Sequence, residues 1–304
     1  MQEGSRRAVF AALLANLGIA IAKLIAAAIT GSASMLAESI HSGADTGNQG
    51  LLFLGGRRAR RAPDEDHPFG YGSERYFWAF VVALVLFTLG AMFSLYEGVE
   101  KLLHPHRLDS PAVAFVVLGV AFVLESLSLR TAVRESAPRR RDLSWPQFIR
   151  RTKSPELSVV LLEDTGALLG LVFAFVGLLL AVLTGESRFD AIGSIAIGLL
   201  LGFIAIVLAV EMKSLLIGES AGPRVRGVLD ATLAAAPEVR SVIHVRTLQL
   251  GPEDLLVAAK LDFHAATTAE LAPAIDAVEV QIRAAIPDAR LIFLEPDLDR
   301  TRAD

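Results

Sequence analysis

The chain of 304 residues contains no cysteine, and this absence removes several kinds of chemistry. Without thiols there can be no disulfides, thiolate metal clusters or cysteine nucleophiles, and a Cu(I) site, which prefers sulfur ligands, is disfavoured. The sequence also lacks a GxxxxGK phosphate loop and a GxSxG nucleophile motif. We therefore expect neither ATP-driven pumping nor serine hydrolysis, and we predict that the protein is not an enzyme and has no resident cofactor.

Charge is also scarce, since charged residues make up 20% of the chain and hydrophobic residues 53%. Six segments are uncharged or nearly so, and each is close to the ~20 residues that a helix needs to cross a bilayer. These segments are 8–29, 33–54, 76–96, 111–133, 159–183 and 192–210. The pattern predicts a polytopic α-helical membrane protein with six transmembrane helices.

Lysine and arginine are distributed unequally between the predicted loops. Alternate sides of the membrane receive 14 and 3 of them. By the positive-inside rule, this bias places both termini in the cytoplasm, and we expect the plasma (inner) membrane as the location. The basic loops are interpreted as setting topology, so no nucleic-acid partner is expected.

The composition becomes that of a soluble protein near residue 219. Patterns typical of helix at 225–236 and 269–286 alternate with extended patterns at 239–250, 255–263 and 289–294. This α-β-β-α-β order predicts a small α+β domain, with an antiparallel-rich sheet and two helices on one face. The chain is therefore predicted to divide into a transmembrane domain at 1–218 and a cytoplasmic domain at 219–304.

Two aspartates, Asp45 and Asp164, lie inside apolar segments, near the middle of the bilayer. At ~1.5 Å per residue they are ~18 Å and ~16 Å from the cytoplasmic edge. An ionised carboxylate at that depth costs roughly 2.5 to 3.5 kcal/mol, and such groups usually line a pathway. His41 and Asn48 share a helical face with Asp45, and Lys23 in the first segment is expected to pair with a carboxylate or to lie in a cavity.

Two motifs carry a resemblance to a known family. The segment AESIHSGAD at 37–45 is similar to the HSxxD signature in the second helix of the cation diffusion facilitator family, and DHPFGYGSE at 66–74 resembles its HPxGxGxxE stretch. The resemblance implies exchange of divalent transition metals, mostly zinc, for protons. It also implies a homodimer with a ferredoxin-like C-terminal domain.

The same resemblance implies a metal site that includes His41, Asp45 and Asp164. Zinc-transporting members usually carry His or Asp four residues before the fifth-helix aspartate, where this chain has Val160. Glu163 and Asn48 are the two candidates for the missing ligand. The LLED run at 161–164 resembles a divergent zinc-transporter subgroup.

Two accessory metal sites of the family are matched only in part. Asp64 and His67 match a cytoplasmic-loop site, but its further histidine is replaced by Tyr71. His244 and Glu295 match ligand positions of the C-terminal domain, whereas Lys260 and Phe293 stand where other members have histidine.

These observations predict a proton-coupled divalent metal efflux transporter, with zinc favoured by its frequency in the family. One imidazole and two or three carboxylates also suit Mn²⁺, Co²⁺, Ni²⁺ or Fe²⁺. A non-transporting membrane metal sensor or scaffold is the alternative from another class. The expected partners are divalent metal ions, protons, the lipid bilayer and a second copy of the chain.

Overall fold

The structure is a computed structural model, and it describes residues 3–105 and 110–299. Within the first helix, side chains are described from Asn16 onward. The predicted cytoplasmic ends of the chain lie outside the described residues. So do the side chains of residues 8–15 in the first predicted span. Two compact units are formed, one by 1–55 with Phe77–Met212 and the other by Gly56–Tyr76 with 213–304.

Helices make up the first unit. In chain order they are α1 (Glu3–Thr30), α2 (Ala33–Arg58), α3 (Glu74–Val85), a π-helical stretch (Leu86–Met92), α4 (Phe93–Leu103), α5 (Pro111–Arg140), α6 (Trp145–Arg151), α7 (Pro155–Thr184) and α8 (Arg188–Ile217).

Four helical segments of the described chain are long and apolar enough to cross a membrane. They are Glu74–Leu103, Pro111–Arg140, Pro155–Thr184 and Arg188–Ile217. The described apolar part of α1, Asn16–Thr30, is shorter, and α2 carries several charged residues along its length. The membrane character of these four segments agrees with the sequence, whereas spanning by α1 and α2 stays a prediction.

The third apolar segment is not a uniform helix, because π-helical turns separate α3 from α4. The sequence pattern gave no sign of this. At the two borders of the stretch, the Thr88 hydroxyl donates to the Leu84 carbonyl of α3 at 2.8 Å, and the Ser94 hydroxyl of α4 donates to the Gly90 carbonyl at 2.7 Å. These hydroxyls help to satisfy backbone acceptors where the helix changes its repeat.

Close packing of α7 on α8 depends on two glycines. A Cβ atom at Gly177 would lie 2.9 Å from the Phe189 carbonyl oxygen, and one at Gly193 would lie 3.0 Å from the Phe173 carbonyl oxygen. Small residues of this kind let helix backbones approach closely in membranes. The two helices are therefore held backbone to backbone.

The beginning of α2 is anchored to α8 by Asp190. The Asp190 carboxylate accepts hydrogen bonds from the Ala33 backbone N–H at 2.6 Å, from the Ser32 hydroxyl at 2.7 Å and from the Ser34 hydroxyl. An acceptor placed here satisfies donors that the first turn of a helix leaves unpaired. Asp190 thus acts as an N-terminal cap supplied by another helix.

The second unit contains a small sheet covered by two helices. Its elements are α9 (Pro223–Ala235), β1 (Val239–Gly251), β2 (Asp254–Phe263), α10 (Thr268–Ala285) and β3 (Ala289–Pro296). The predicted α-β-β-α-β order is confirmed. Leu229 and Leu233 of α9 and Val278 and Ile282 of α10 pack with the buried face of β2 in one core.

The sheet has the order β1-β2-β3. β1 and β2 form an antiparallel hairpin, while β2 and β3 are parallel. The sequence predicted an antiparallel-rich sheet. The parallel pair arises because α10 returns the chain to the starting end of β2, as parallel strands require.

Candidate metal-binding site

A stripe of polar side chains runs along α2. Glu38, His41 and Asn48 are fully buried, and the Asp45 side chain is 15% exposed. Their spacing of three or four residues puts them on one face of the helix. The helix thereby carries four chemically reactive groups into the interior of the first unit.

The stripe borders a small cavity of about 20 Å³, which has room for one water molecule or ion. Three helices, α2, α5 and α7, contribute carboxylates to it. The lining residues are Asn16, Ser42, Asp45, Gln49, Glu125, Val160, Glu163 and Asp164. Asp45, Glu163 and Asp164 were expected at the site, and the structure brings them to the same cavity.

His41 and Asn48 do not line this cavity. Each of them contacts an acidic residue that does. His41 Nδ1 lies 3.4 Å from Asp45 Oδ1, without hydrogen-bond geometry. Asn48 Nδ2 donates to Glu163 Oε1 at 2.6 Å. The five predicted ligands therefore form two contacting pairs and the separate Asp164, whose Oδ2 accepts from the Ser128 hydroxyl at 2.9 Å.

Several buried polar atoms around the cavity have no hydrogen-bond partner among the described residues. They include both ring nitrogens of His41, Asp45 Oδ1 and Asn48 Oδ1. Buried polar atoms are nearly always paired, so each exception needs an explanation. A cation that these nitrogen and oxygen atoms approach would satisfy them.

The side chains do not converge fully in this conformation. Within residues 3–105 and 110–299, no three His, Asp or Glu side chains lie close enough together to hold a metal ion. Zinc ligands lie about 2.0 to 2.2 Å from the metal. Binding at this cavity would therefore draw the side chains inward.

Glu125 is the carboxylate of the cavity that sequence reasoning did not select as a ligand. It lies on α5, and the cavity places it with Asp45, Glu163 and Asp164. Its position in an apolar segment was the available signal, but the partner helix could not be chosen without the packing. Ser42 and Gln49 were also missed, although their spacing of three and four residues from Asp45 puts them on the same helical face.

Beyond the cavity, Lys23 forms a buried ion pair with Glu38. Lys23 Nζ lies 3.0 Å from Glu38 Oε2 and also donates to the Ser42 hydroxyl at 2.7 Å. Neither side chain of the pair is exposed. The prediction that Lys23 pairs with a carboxylate is confirmed.

In the predicted loop site, which belongs to the second unit, both carboxylate oxygens of Asp64 accept hydrogen bonds from other residues. The Tyr71 hydroxyl donates to Asp64 Oδ2 at 2.5 Å, and the His67 backbone N–H donates to Asp64 Oδ1 at 2.8 Å. The hydrogen bond from Tyr71, followed by those from His67, lowers the pKa of Asp64. The rings of His67 and Tyr71 pack with centroids 4.4 Å apart. Tyr71 therefore binds the carboxylate that would otherwise face a metal.

The residues of the predicted C-terminal site lie in one row across the sheet. His244 pairs with Lys260 on β2, which pairs with Glu295 on β3. Lys260 Nζ lies 2.8 Å from Asp297 Oδ2 and 3.1 Å from Glu295 Oε1. Hydrogen bonds to Asp297 and then Glu295 raise the pKa of Lys260. An ammonium group thus neutralises the carboxylate predicted as a ligand.

Comparison with known proteins supports the membrane-spanning character of the first unit. The family model described as the cation efflux transmembrane domain matches residues 9–217. The proton-coupled zinc antiporter SLC30A9, mitochondrial, is 37% identical in Xenopus laevis and 36% in Homo sapiens, over 243 residues and 79% of this chain in both cases. Metal tolerance protein C4 of Arabidopsis thaliana is 32% identical over 262 residues, 86% of this chain.

The relatives are longer than this chain. The match spans 44% of the Xenopus protein, 43% of the human protein and 57% of the Arabidopsis protein.

Proposed function

Because the chain belongs to the cation diffusion facilitator family of metal transporters, and is an integral membrane protein, we propose that it exports a divalent cation in exchange for protons. Zinc is the proposed cargo, since the relatives named above as proton-coupled zinc antiporters are 36–37% identical. The observation that carries the proposal is the cavity among apolar helices, which is lined by Asp45, Glu125, Glu163 and Asp164.

His41, Asp45 and Asp164 are the proposed core of the cargo site. Asn48 holds Glu163 by a 2.6 Å hydrogen bond, so the two side chains act together where Val160 offers no ligand. We assign Glu163 as the ligand, because its carboxylate borders the cavity and Asn48 does not. Asn48 then orients Glu163.

Proton exchange follows from the chemistry of the same oxygen atoms. A carboxylate binds either a proton or a metal ion, and metal binding requires the deprotonated form. In apolar surroundings, an acidic cluster without a counter-ion is costly. Each metal ion that leaves is therefore replaced by protons, and each one that enters releases them.

Val160 is the observation that favours a second candidate function. It lines the cavity, and the family resemblance puts it where zinc-transporting members usually carry His or Asp. A weakened site would suit a non-transporting metal sensor or scaffold, or a transporter whose main ion is Mn²⁺, Co²⁺, Ni²⁺ or Fe²⁺.

Six membrane spans and cytoplasmic termini belong to the same proposal. The charged face of α2 is turned to the interior of the unit, so a polar helix of this kind can cross a bilayer beside apolar ones. Because the chain has no cysteine, single cysteines placed in each loop report the topology directly. A 31–32 turn on the same side of the membrane as the N-terminus would contradict six spans, and a cytoplasmic turn would contradict cytoplasmic termini.

We also propose a homodimer, supported by the open face of the C-terminal sheet. This face exposes the apolar side chains Leu248 and Phe293, which are 37% and 53% exposed. A purely monomeric mass in native mass spectrometry from mild detergent would contradict it. The plasma (inner) membrane is the proposed location, and fractionation would distinguish it from the mitochondrial membrane named for the relatives.

The test is metal uptake into proteoliposomes under an imposed pH gradient. Zn²⁺, Mn²⁺, Co²⁺, Ni²⁺ and Fe²⁺ are compared for the wild type, Asp45→Ala, Asp164→Ala and the matched surface change Asp142→Asn. Flux that dissipates the gradient and needs both cavity aspartates, but not Asp142, supports the proposal. Metal binding without flux, in folded wild-type protein, would favour the sensor or scaffold.

A further inference from the structure

The buried lysine of α1 contacts α2, and its partner Glu38 also lies against α7. Lys23 Nζ contacts Glu38 Oε2 and the Ser42 hydroxyl of α2. The other carboxylate oxygen of Glu38 lies against Gly170 of α7, where a Cβ atom would be only 2.2 Å away. We refer to Lys23, Glu38, Ser42 and Gly170 as the Lys23 layer. It joins α1, α2 and α7 at one level of the unit.

The Lys23 layer lies at one end of the acidic cavity. Ser42 belongs to both, while Asp45 and Gln49 line the cavity farther along α2. Glu38 is seven residues before Asp45, about 10 Å nearer to the turn between α1 and α2. A cation that leaves the cavity toward that turn along α2 therefore meets the Lys23 ammonium first.

The pairing of Glu38 is incomplete for a purely structural contact. Its Oε1 atom is buried and has no hydrogen-bond donor within the described residues. A buried ion pair is favourable only when its remaining lone pairs are also satisfied. Glu38 can therefore bind a transported cation through Oε1 while its Oε2 stays paired with Lys23.

We propose that Lys23 is a tethered cation that closes the pathway at the Lys23 layer. Its ammonium repels a divalent cation and holds it at Asp45, and release toward the α1–α2 turn requires Glu38 to part from Lys23. The role in release rests on the proposed transport function. The closure itself does not, because it concerns access to the cavity.

Access is measured first, with a thiol reporter in this cysteine-free chain. Gln49→Cys places a thiol in the cavity, on the far side of Asp45 from the layer. A membrane-impermeant thiol reagent is added on the side of the α1–α2 turn, and Glu186→Cys in the exposed α7–α8 turn identifies that side in a parallel sample.

The informative variant is the double change Lys23→Met with Glu38→Gln, which removes both charges and leaves neither one unpaired. Labelling of the Gln49→Cys thiol should rise about tenfold or more, the scale on which a conformer populated at 0.1–10% can grow. Arg226→Gln with Asp230→Asn is the control. That ion pair lies within α9 of the second unit, with a separation of 3.5 Å, and its loss should leave labelling unchanged.

Unchanged labelling in the folded Lys23→Met, Glu38→Gln protein would overturn the proposal. If that variant does not fold, the charge exchange Lys23→Glu with Glu38→Lys replaces it. The exchange keeps an ion pair and should stay closed, and a tenfold rise in its labelling would equally overturn the proposal.

Zinc flux is measured in parallel preparations that keep Gln49, because this residue lines the cavity. With the layer neutralised, zinc should cross without consuming the pH gradient. Coupled flux equal to that of the wild type would overturn the role in release. Absence of flux in the wild type would instead overturn the proposed function, while the labelling result would still decide whether the layer is closed.

Discussion

Gly170 is a position where a single methyl group should destabilise the membrane unit. A Cβ atom there would lie 2.2 Å from Glu38 Oε1 and 3.4 Å from Glu38 Cδ. Glu38 can move away only by changing its 3.0 Å contact with Lys23, because both side chains are fully buried. The variant Gly170→Ala therefore tests whether the carboxylate is held as firmly as the geometry indicates.

Two opposing contributions set the expected size of the effect. Overpacking of a well-filled interior costs typically ~1 to 3 kcal/mol. Alanine is favoured over glycine inside a helix by about 1 kcal/mol. The free energy of unfolding should therefore fall by about 0 to 2 kcal/mol in Gly170→Ala.

Gly119→Ala is the matched control, since a Cβ atom at Gly119 would have no neighbour within 4 Å. Here only the helix preference acts, so the protein should gain up to about 1 kcal/mol. Thermal and denaturant unfolding of both variants in one detergent gives the difference, which should be ~1 to 3 kcal/mol because the helix term cancels. Equal stability of the two variants would refute the reasoning.

Three further predictions concern single side chains. Replacing Asn48 with Leu leaves a buried Glu163 oxygen without its donor, and should cost about 1 to 3 kcal/mol of unfolding free energy and weaken zinc binding; unchanged calorimetric binding and unfolding would contradict this. Tyr71→Phe should raise the pKa of Asp64 toward its ordinary value near 4, so that acid loosens the loop at a higher pH. NMR of the Asp64 carboxyl group measures this pKa, and an unchanged value would exclude Tyr71 as the cause of the lowered pKa. Lys260→Met should lower stability at neutral pH, and its difference from wild type should vanish as pH rises through the raised pKa of Lys260; a difference that persists there would argue against the ion pairs.

The order of elements in the C-terminal unit followed from local patterns, but the pairing of its last strand did not. Alternation within 239–250 and 255–263 marks two strands, and the turn between them is short enough for a hairpin. Which edge β3 joins depends on how α10 crosses the sheet, which no short segment encodes. The π-helical stretch Leu86–Met92 was likewise not predictable from any local pattern.

At the candidate site, spacing along one helix was informative and contacts between helices were not. The stripe of His41, Asp45 and Asn48 follows from the helical repeat. That Lys23 would pair with a carboxylate was predictable from the cost of an unpaired charge in apolar surroundings. The choice of Glu38 was not, and neither was the arrival of Glu125 at the cavity, because both depend on how neighbouring helices are rotated.

The hydrogen bonds to Asp190 fix the first turn of α2, so a rotation of this helix would displace its far end most. Ala33 is bonded to α8, and Asp45 lies 12 residues farther along, at a distance of about 18 Å. A tilt of about 10° around the anchored end moves Asp45 by about 3 Å but Glu38 by only about 1 Å. A small rotation of α2 would thus displace Asp45 by more than a metal–ligand bond length. The contact between Lys23 and Glu38, which lies nearer to the fixed end, would change much less.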